Sequence, residues 1–141
     1  MKFQDFFDKV KDSDDFKKFS SEKPEAYLCA GFFILDLKDN KNEASVDFFN
    51  PSDKRITSFK FGEKITAIPL EVPPEMNKND FIPERIDSNP EVELEELKGI
   101  IQDEMHNRGM TYDIQKIIAV LQNLDGKLIW NCTSILSGLA L

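Results

Sequence analysis

Reactive side chains are scarce in this 141-residue chain. It has one histidine, His106, two cysteines, Cys29 and Cys132, and no glycine-rich phosphate loop. General acid–base, nucleophilic and metal chemistry gathers several titratable or ligating groups, and little here supplies them. Long uncharged runs are missing too. The longest apolar stretch, Ala26 to Leu35, has the length of a strand. No segment reaches the ~18 apolar residues of a membrane helix. The N-terminus, Met1-Lys2-Phe3-Gln4-Asp5, becomes charged too early for a secretory signal. Positive charge is in deficit: the net charge is −8 and the pI about 4.7. Lys9, Lys11, Lys17 and Lys18 alternate with Asp8, Asp12, Asp14 and Asp15, which leaves no basic patch for phosphates. The expectation is a cytoplasmic protein with neither nucleic acid nor membrane as partner. In a reducing compartment both cysteines read as buried thiols, and the glycosylation pattern Asn131-Cys132-Thr133 as coincidence.

Core-forming material is plentiful. Twelve residues are phenylalanine, 40% are hydrophobic and 31% are charged. That is the composition of one globular domain able to bury a core without staples. Phe3, Phe6, Phe7 and Val10 lie at i, i+3, i+4, i+7, one stripe of an amphipathic helix. Ser13 is an N-cap candidate, and Phe16 and Phe19 begin a stripe in a new phase. Residues 1–22 therefore read as two short helices or one kinked at Ser13.

Residues 26–72 read as a four-strand antiparallel meander. The first strand, Ala26 to Leu37, is apolar on both sides: Leu28, Ala30, Phe32 and Ile34 alternate with Tyr27, Cys29, Phe33 and Leu35. Such a strand is expected to be central and covered twice, with Gly31 at a bulge or close approach. Strands at Glu43–Phe49, Arg55–Phe61 and Ile65–Val72 follow over hairpin-length turns, and Pro69 sends the last to an edge. Residues 73–90, with four prolines, form a long loop. Asn89 and Pro90 are expected to start a helix over 91–109, with Leu94, Leu97, Ile100, Ile101 and Met105 inward. Residues 112–136 read as a hairpin about Asp125-Gly126. The fold class is α+β: an antiparallel sheet of about six strands with the N-terminal helices flanking. The apolar end, Ser137 to Leu141, is expected to tuck into the fold or to continue in a longer natural protein.

Two readings of function follow. One is a non-enzymatic binding or adaptor domain that meets a protein partner or a second copy of itself as a dimer. If helices cover only one sheet face, Phe33 and Phe49, with Ile56, would face solvent as a partner surface, joined by Phe81 from the loop. The other is a small metal-dependent enzyme. Asp103 and His106 share a helix face at i, i+3, a spacing found in di-metal bundles that also require a second such pair; the bland account is a solvent-facing helix end whose histidine suits the negative dipole. A small apolar ligand held between helix and sheet is a further alternative. No catalytic residue, cofactor or established metal site is assigned. Glu91, Glu93, Glu95 and Glu96 lack the Asp/Asn and glycine pattern of a calcium loop, and no nucleophile elbow supports a serine triad.

The block Leu94–Leu136, with Asp125-Gly126-Lys127-Leu128-Ile129-Trp130, resembles the helix–strand–strand unit of PepSY-like and cystatin-like domains, about a third of the chain. The resemblance implies a helix packed on an antiparallel sheet. The stretch Ala26-Tyr27-Leu28-Cys29-Ala30-Gly31-Phe32-Phe33-Ile34-Leu35-Asp36 and the stretch Gln102-Asp103-Glu104-Met105-His106-Asn107-Arg108-Gly109 through Lys127-Leu128-Ile129-Trp130-Asn131 also resemble an uncharacterised archaeal protein family. That likeness implies an archaeal source and no particular activity.

Overall fold

A computed structural model describes residues 2–70 and 82–137. Two helices, α1 (Phe3–Asp12) and α2 (Asp14–Glu22), precede four strands: β1 (Tyr27–Asp36), β2 (Glu43–Asn50), β3 (Arg55–Lys60) and β4 (Thr66–Leu70). A 3-10 turn at Leu94–Glu96 leads into α3 (Leu97–Asn107), then β5 (Ile114–Leu124) and β6 (Lys127–Leu136). The strands form one antiparallel sheet in the order β4-β3-β2-β1-β5-β6. The α+β architecture and the edge position of the Pro69 strand are as the sequence predicts.

β1 is central, but its alternation is broken. The register against β2 shifts between Leu28 and Ala30, so Cys29 is a bulge residue and the phase of everything after it slips by one. Leu28 therefore shares a face with Gly31, Phe33 and Leu35 rather than with Phe32. Those side chains join Val46 and Phe48 of β2, Phe59 of β3, and Ile117, Ala119 and Leu121 of β5 in one core cluster.

All the helices pack on that face. Ser13 divides the first two: its N–H donates to the Val10 carbonyl (3.0 Å) and its Oγ accepts from the Phe16 N–H (3.2 Å). Phe6 meets Phe33 and Phe61 edge-on at 5.0 and 5.3 Å, and Phe16 and Phe19 close on Phe59 at 5.4 and 5.1 Å. Edge-to-face pairs of this kind add stability beyond the area they bury.

The third helix starts later than Asn89 and Pro90 suggest. Residues 88–93 run irregularly along β6, because the Val92 carbonyl is taken by the Trp130 indole N–H (2.7 Å). Glu96 accepts from the Glu93 N–H (2.7 Å), and the Glu93 carboxylate accepts from the Phe3 N–H (2.8 Å), so it tops the positive end of α1. Leu94, Leu97 and Met105 are buried; Ile100, expected inward, is 49% exposed on the helix flank. Upstream, the Ile86 N–H donates to the Leu28 carbonyl (2.8 Å), and the Glu84 carboxylate accepts from the N–H groups of Asp125 and Gly126 (2.7 and 3.0 Å). This threads the connection between the start of β1 and the β5–β6 turn. Asp125 and Gly126 both have positive φ (52° and 81°), the requirement of a type I′ turn.

Gly31 lies where the Phe3 ring of α1 reaches the sheet. A Cβ there would sit 2.9 Å from Phe33 Cε2 and 3.0 Å from Phe3 Cε1, both on rings already fixed by packing. Gly31→Ala is expected to lower unfolding free energy by about 1–3 kcal/mol, the usual cost of overpacking, read as a lower urea midpoint. An unchanged midpoint would show that the rings have room to yield.

Candidate binding surface

The opposite face of the sheet carries no element among the described residues. In the rows set by the register, Phe32 lies beside Val120, and Ile34 beside Ile118. On β6 the residues beside this patch are polar, Asn131 against Val120 and Thr133 against Ile118, with Ile129 and Ile135 beyond its two ends. Across the sheet Ile68 and Leu70 pair with Ser58 and Ile56. Phe32, Ile68, Leu70 and Ile135 are 37–43% exposed. Between the two apolar areas Ser45, Asp47 and Ser58 make a polar strip, and a shallow trough of about 210 Å³ opens between Phe32 and Ile68. The Lys60–Glu43 ion pair (3.7 Å) closes one end.

The expected aromatic pair is therefore half misplaced. Phe33 is 1% exposed, in the helix-covered core, because the Cys29 bulge flips its phase. Phe49 does lie on the uncovered face but is equally buried, packed against the Tyr27 ring at 5.6 Å. The Arg85 guanidinium sits over that ring, 4.9 Å from its centre, and the Tyr27 hydroxyl donates to the Pro83 carbonyl (2.6 Å). Ile56 is half-buried. Phe81 lies outside the described residues. Phe32 is the exposed ring that the alternation argument missed; a bulge ahead of Gly31 was the only available signal.

Burial raises three titratable groups on this face, Tyr27, Cys29 and Asp47. The Cys29 thiol is pushed up to about 12, first by burial and then by the neighbouring Asp47 charge; such a thiol is inert as a nucleophile. Asp47 is raised from the ordinary carboxylate range by burial, and the Ser58 hydroxyl only partly offsets this. Its Oδ1 has no hydrogen-bond partner among the described residues. Asp36, by contrast, is held low by the backbone N–H of Asp39, with Lys38 adding to it, and serves the β1–β2 turn.

Asp103 and His106 both lie exposed on α3, away from the sheet. Among the described residues no group of three or more His, Cys, Asp or Glu side chains is placed to hold a metal ion. No helix of the described residues is long and apolar enough to cross a membrane. On the helix side, a half-open cleft of about 330 Å³ separates α1 from the 3-10 turn. It is lined by Phe6, Phe33, Leu35, Phe61 and Leu94, with Asn42, Glu43 and Glu95 also on its wall.

Comparison of the chain with protein-family models, curated proteins and solved structures finds no match.

Asp47 makes a testable contribution to stability. Its folded pKa is above the unfolded value, so the fold favours the protonated form. The resulting stability is present below the unfolded value near 4 and is lost as pH rises through the folded one. Asp47→Asn is expected to melt higher than the parent at pH 7, with the gap closing below pH 4. A pH-independent gap in a thermal melt series would contradict the desolvation account.

Proposed function

We propose that the protein is a non-enzymatic cytoplasmic binding domain that works through protein contacts made by the uncovered face of its sheet. One observation carries this reading: every described helix packs on one side, which leaves Phe32, Ile68, Leu70 and Ile135 exposed on the other. Exposed apolar patches rimmed by polar groups mark interaction sites in water-soluble proteins. The polar strip fits the role, since Ser45, Ser58 and the ion pair at its end would orient a partner while the flanking patches supply the burial. The acidic balance of the chain favours a partner surface that is neutral or basic around an apolar centre.

A photoreactive phenylalanine analogue at position 32 is expected to give a discrete cross-linked product in cells of the source organism. The same analogue at position 103, on α3, is expected to give none. Equal labelling from both positions, or none from position 32, would refute the reading.

The helix-side cleft favours a second reading, a small apolar ligand held against Phe6, Phe33 and Phe61, since its volume falls at the lower end of small-molecule pockets. Native mass spectrometry of gently purified protein would then show one non-covalent adduct that Leu35→Trp displaces. A bare chain mass throughout removes this alternative.

A further inference from the structure

The two edges of the sheet are built differently. β4 carries Pro69 within its described span, Thr66–Leu70, so it offers a partner an interrupted ladder. β6 runs ten residues without proline, in unbroken register with β5 from Leu124↔Lys127 to Ile117↔Ser134. Its one charged residue is Lys127, at the extreme end. Natural sheets guard free edges with charges, prolines, bulges or short strands. β4 shows one of these devices in Pro69 and β6 almost none. No strand pairs with the outer side of β6 among the described residues.

The geometry of β6 shows which groups are on offer. A two-residue turn makes Leu124 and Lys127 a mutually hydrogen-bonded pair, and the pattern alternates from there. The backbone groups of Leu128, Trp130, Cys132 and Ser134 therefore turn outward. Beside the first half of the strand, a groove of about 770 Å³ opens between Lys127–Trp130 and the segment Ser88–Val92. The indole bond from Trp130 to Val92 holds that wall in place.

We propose that a second copy of this chain pairs antiparallel with β6 across a two-fold axis, which joins the two sheets into one of twelve strands. Charge selects this occupant. Each copy carries −8, so most pairs of surfaces on two copies repel. Neither free edge of the sheet carries an acid among the described residues, and of the two β6 has the longer described span and no proline; the two-fold sets the two Lys127 side chains at opposite ends of the paired strands. At ~3.4 Å per residue they are roughly 30 Å apart, beyond the reach of screened repulsion. The same symmetry brings the apolar far end of β6, with Ile135 43% exposed and Leu136 after it, to the groove beside the other copy's Leu128–Trp130. Antiparallel edge pairing keeps the helices of both copies on one side. The two uncovered faces then lie side by side, so the inference rests on the edge and leaves the face open for the proposed partner.

Light scattering tests it. At about 100 µM, a concentration at which a micromolar dimer is nearly saturated, the intact chain is expected at twice its 16.2 kDa mass. Thr133→Lys, which puts like charges near the two-fold, and Ser134→Pro, which removes an outward N–H, are each expected to halve that mass. The melting profile measured at dilution should stay unchanged. Thr133 is exposed, so its variant folds even if the proline variant does not. Phe32→Asp, which disables the face, is expected to leave the doubled mass intact. A mass of 16.2 kDa at every concentration overturns the proposal. So does a doubled mass that Phe32→Asp abolishes and Thr133→Lys leaves, which would assign self-association to the face. A monomer that instead binds an unrelated extended peptide along β6 overturns the choice of a second copy.

Discussion

Phe33 touches every layer of this fold. It projects from the central strand, meets Phe3 and Phe6 of α1 at 6.4 and 5.0 Å, and meets Trp130 of the far hairpin at 5.8 Å. Trp130 in turn holds the segment ahead of α3 through Val92, and Glu93 on that segment tops α1. The ring thus closes a circuit from N-terminal helix to central strand to last strand and back. Its position depends on the bulge at Cys29, which turns it toward the helices, and on Gly31, whose missing side chain lets Phe3 approach the sheet.

The consequence is an asymmetric two-layer protein. Burial is concentrated on one side, where α1, α2 and the start of α3 cover a core that reaches from Ala67 of β4 to Trp130 of β6. The other side carries a second, smaller set of apolar side chains, split by the strip of Ser45, Asp47 and Ser58. Two-layer α+β folds often leave one sheet face wet, and strands there normally alternate apolar with polar. β1 and β5 do not follow that rule: Phe32, Ile34, Ile118 and Val120 are apolar on the side away from the helices. That excess, rather than any reactive constellation, is the feature of the chain most in need of a functional account.

Much of the architecture was legible because it rests on local rules. The phase change at Ser13, the turns after β1 and β2, Pro69 at an edge and the Asp125-Gly126 hairpin are short-range signals, and each governs an element at that place. The misreadings are non-local in origin. Helix α3 begins several residues beyond Asn89-Pro90 because a tryptophan 38 residues away takes the Val92 carbonyl. Phe33 and Phe32 exchange roles because one extra residue in the first strand is invisible to alternation when both faces are apolar. Phe49 is covered by Tyr27 and Arg85, a pairing no periodicity announces.

Composition and local pattern alone were enough to establish an antiparallel α+β fold, a strand count near six and a dense phenylalanine core, since these depend on residue type and on spacings of two to four positions. Which side of the sheet the helices take, which of two adjacent phenylalanines meets water, and how unequal the two sheet edges become all depend on the chain folding back on itself. A single bulge and a few long-range hydrogen bonds determine those choices, because a strand apolar on both faces is compatible with either until its neighbours arrive.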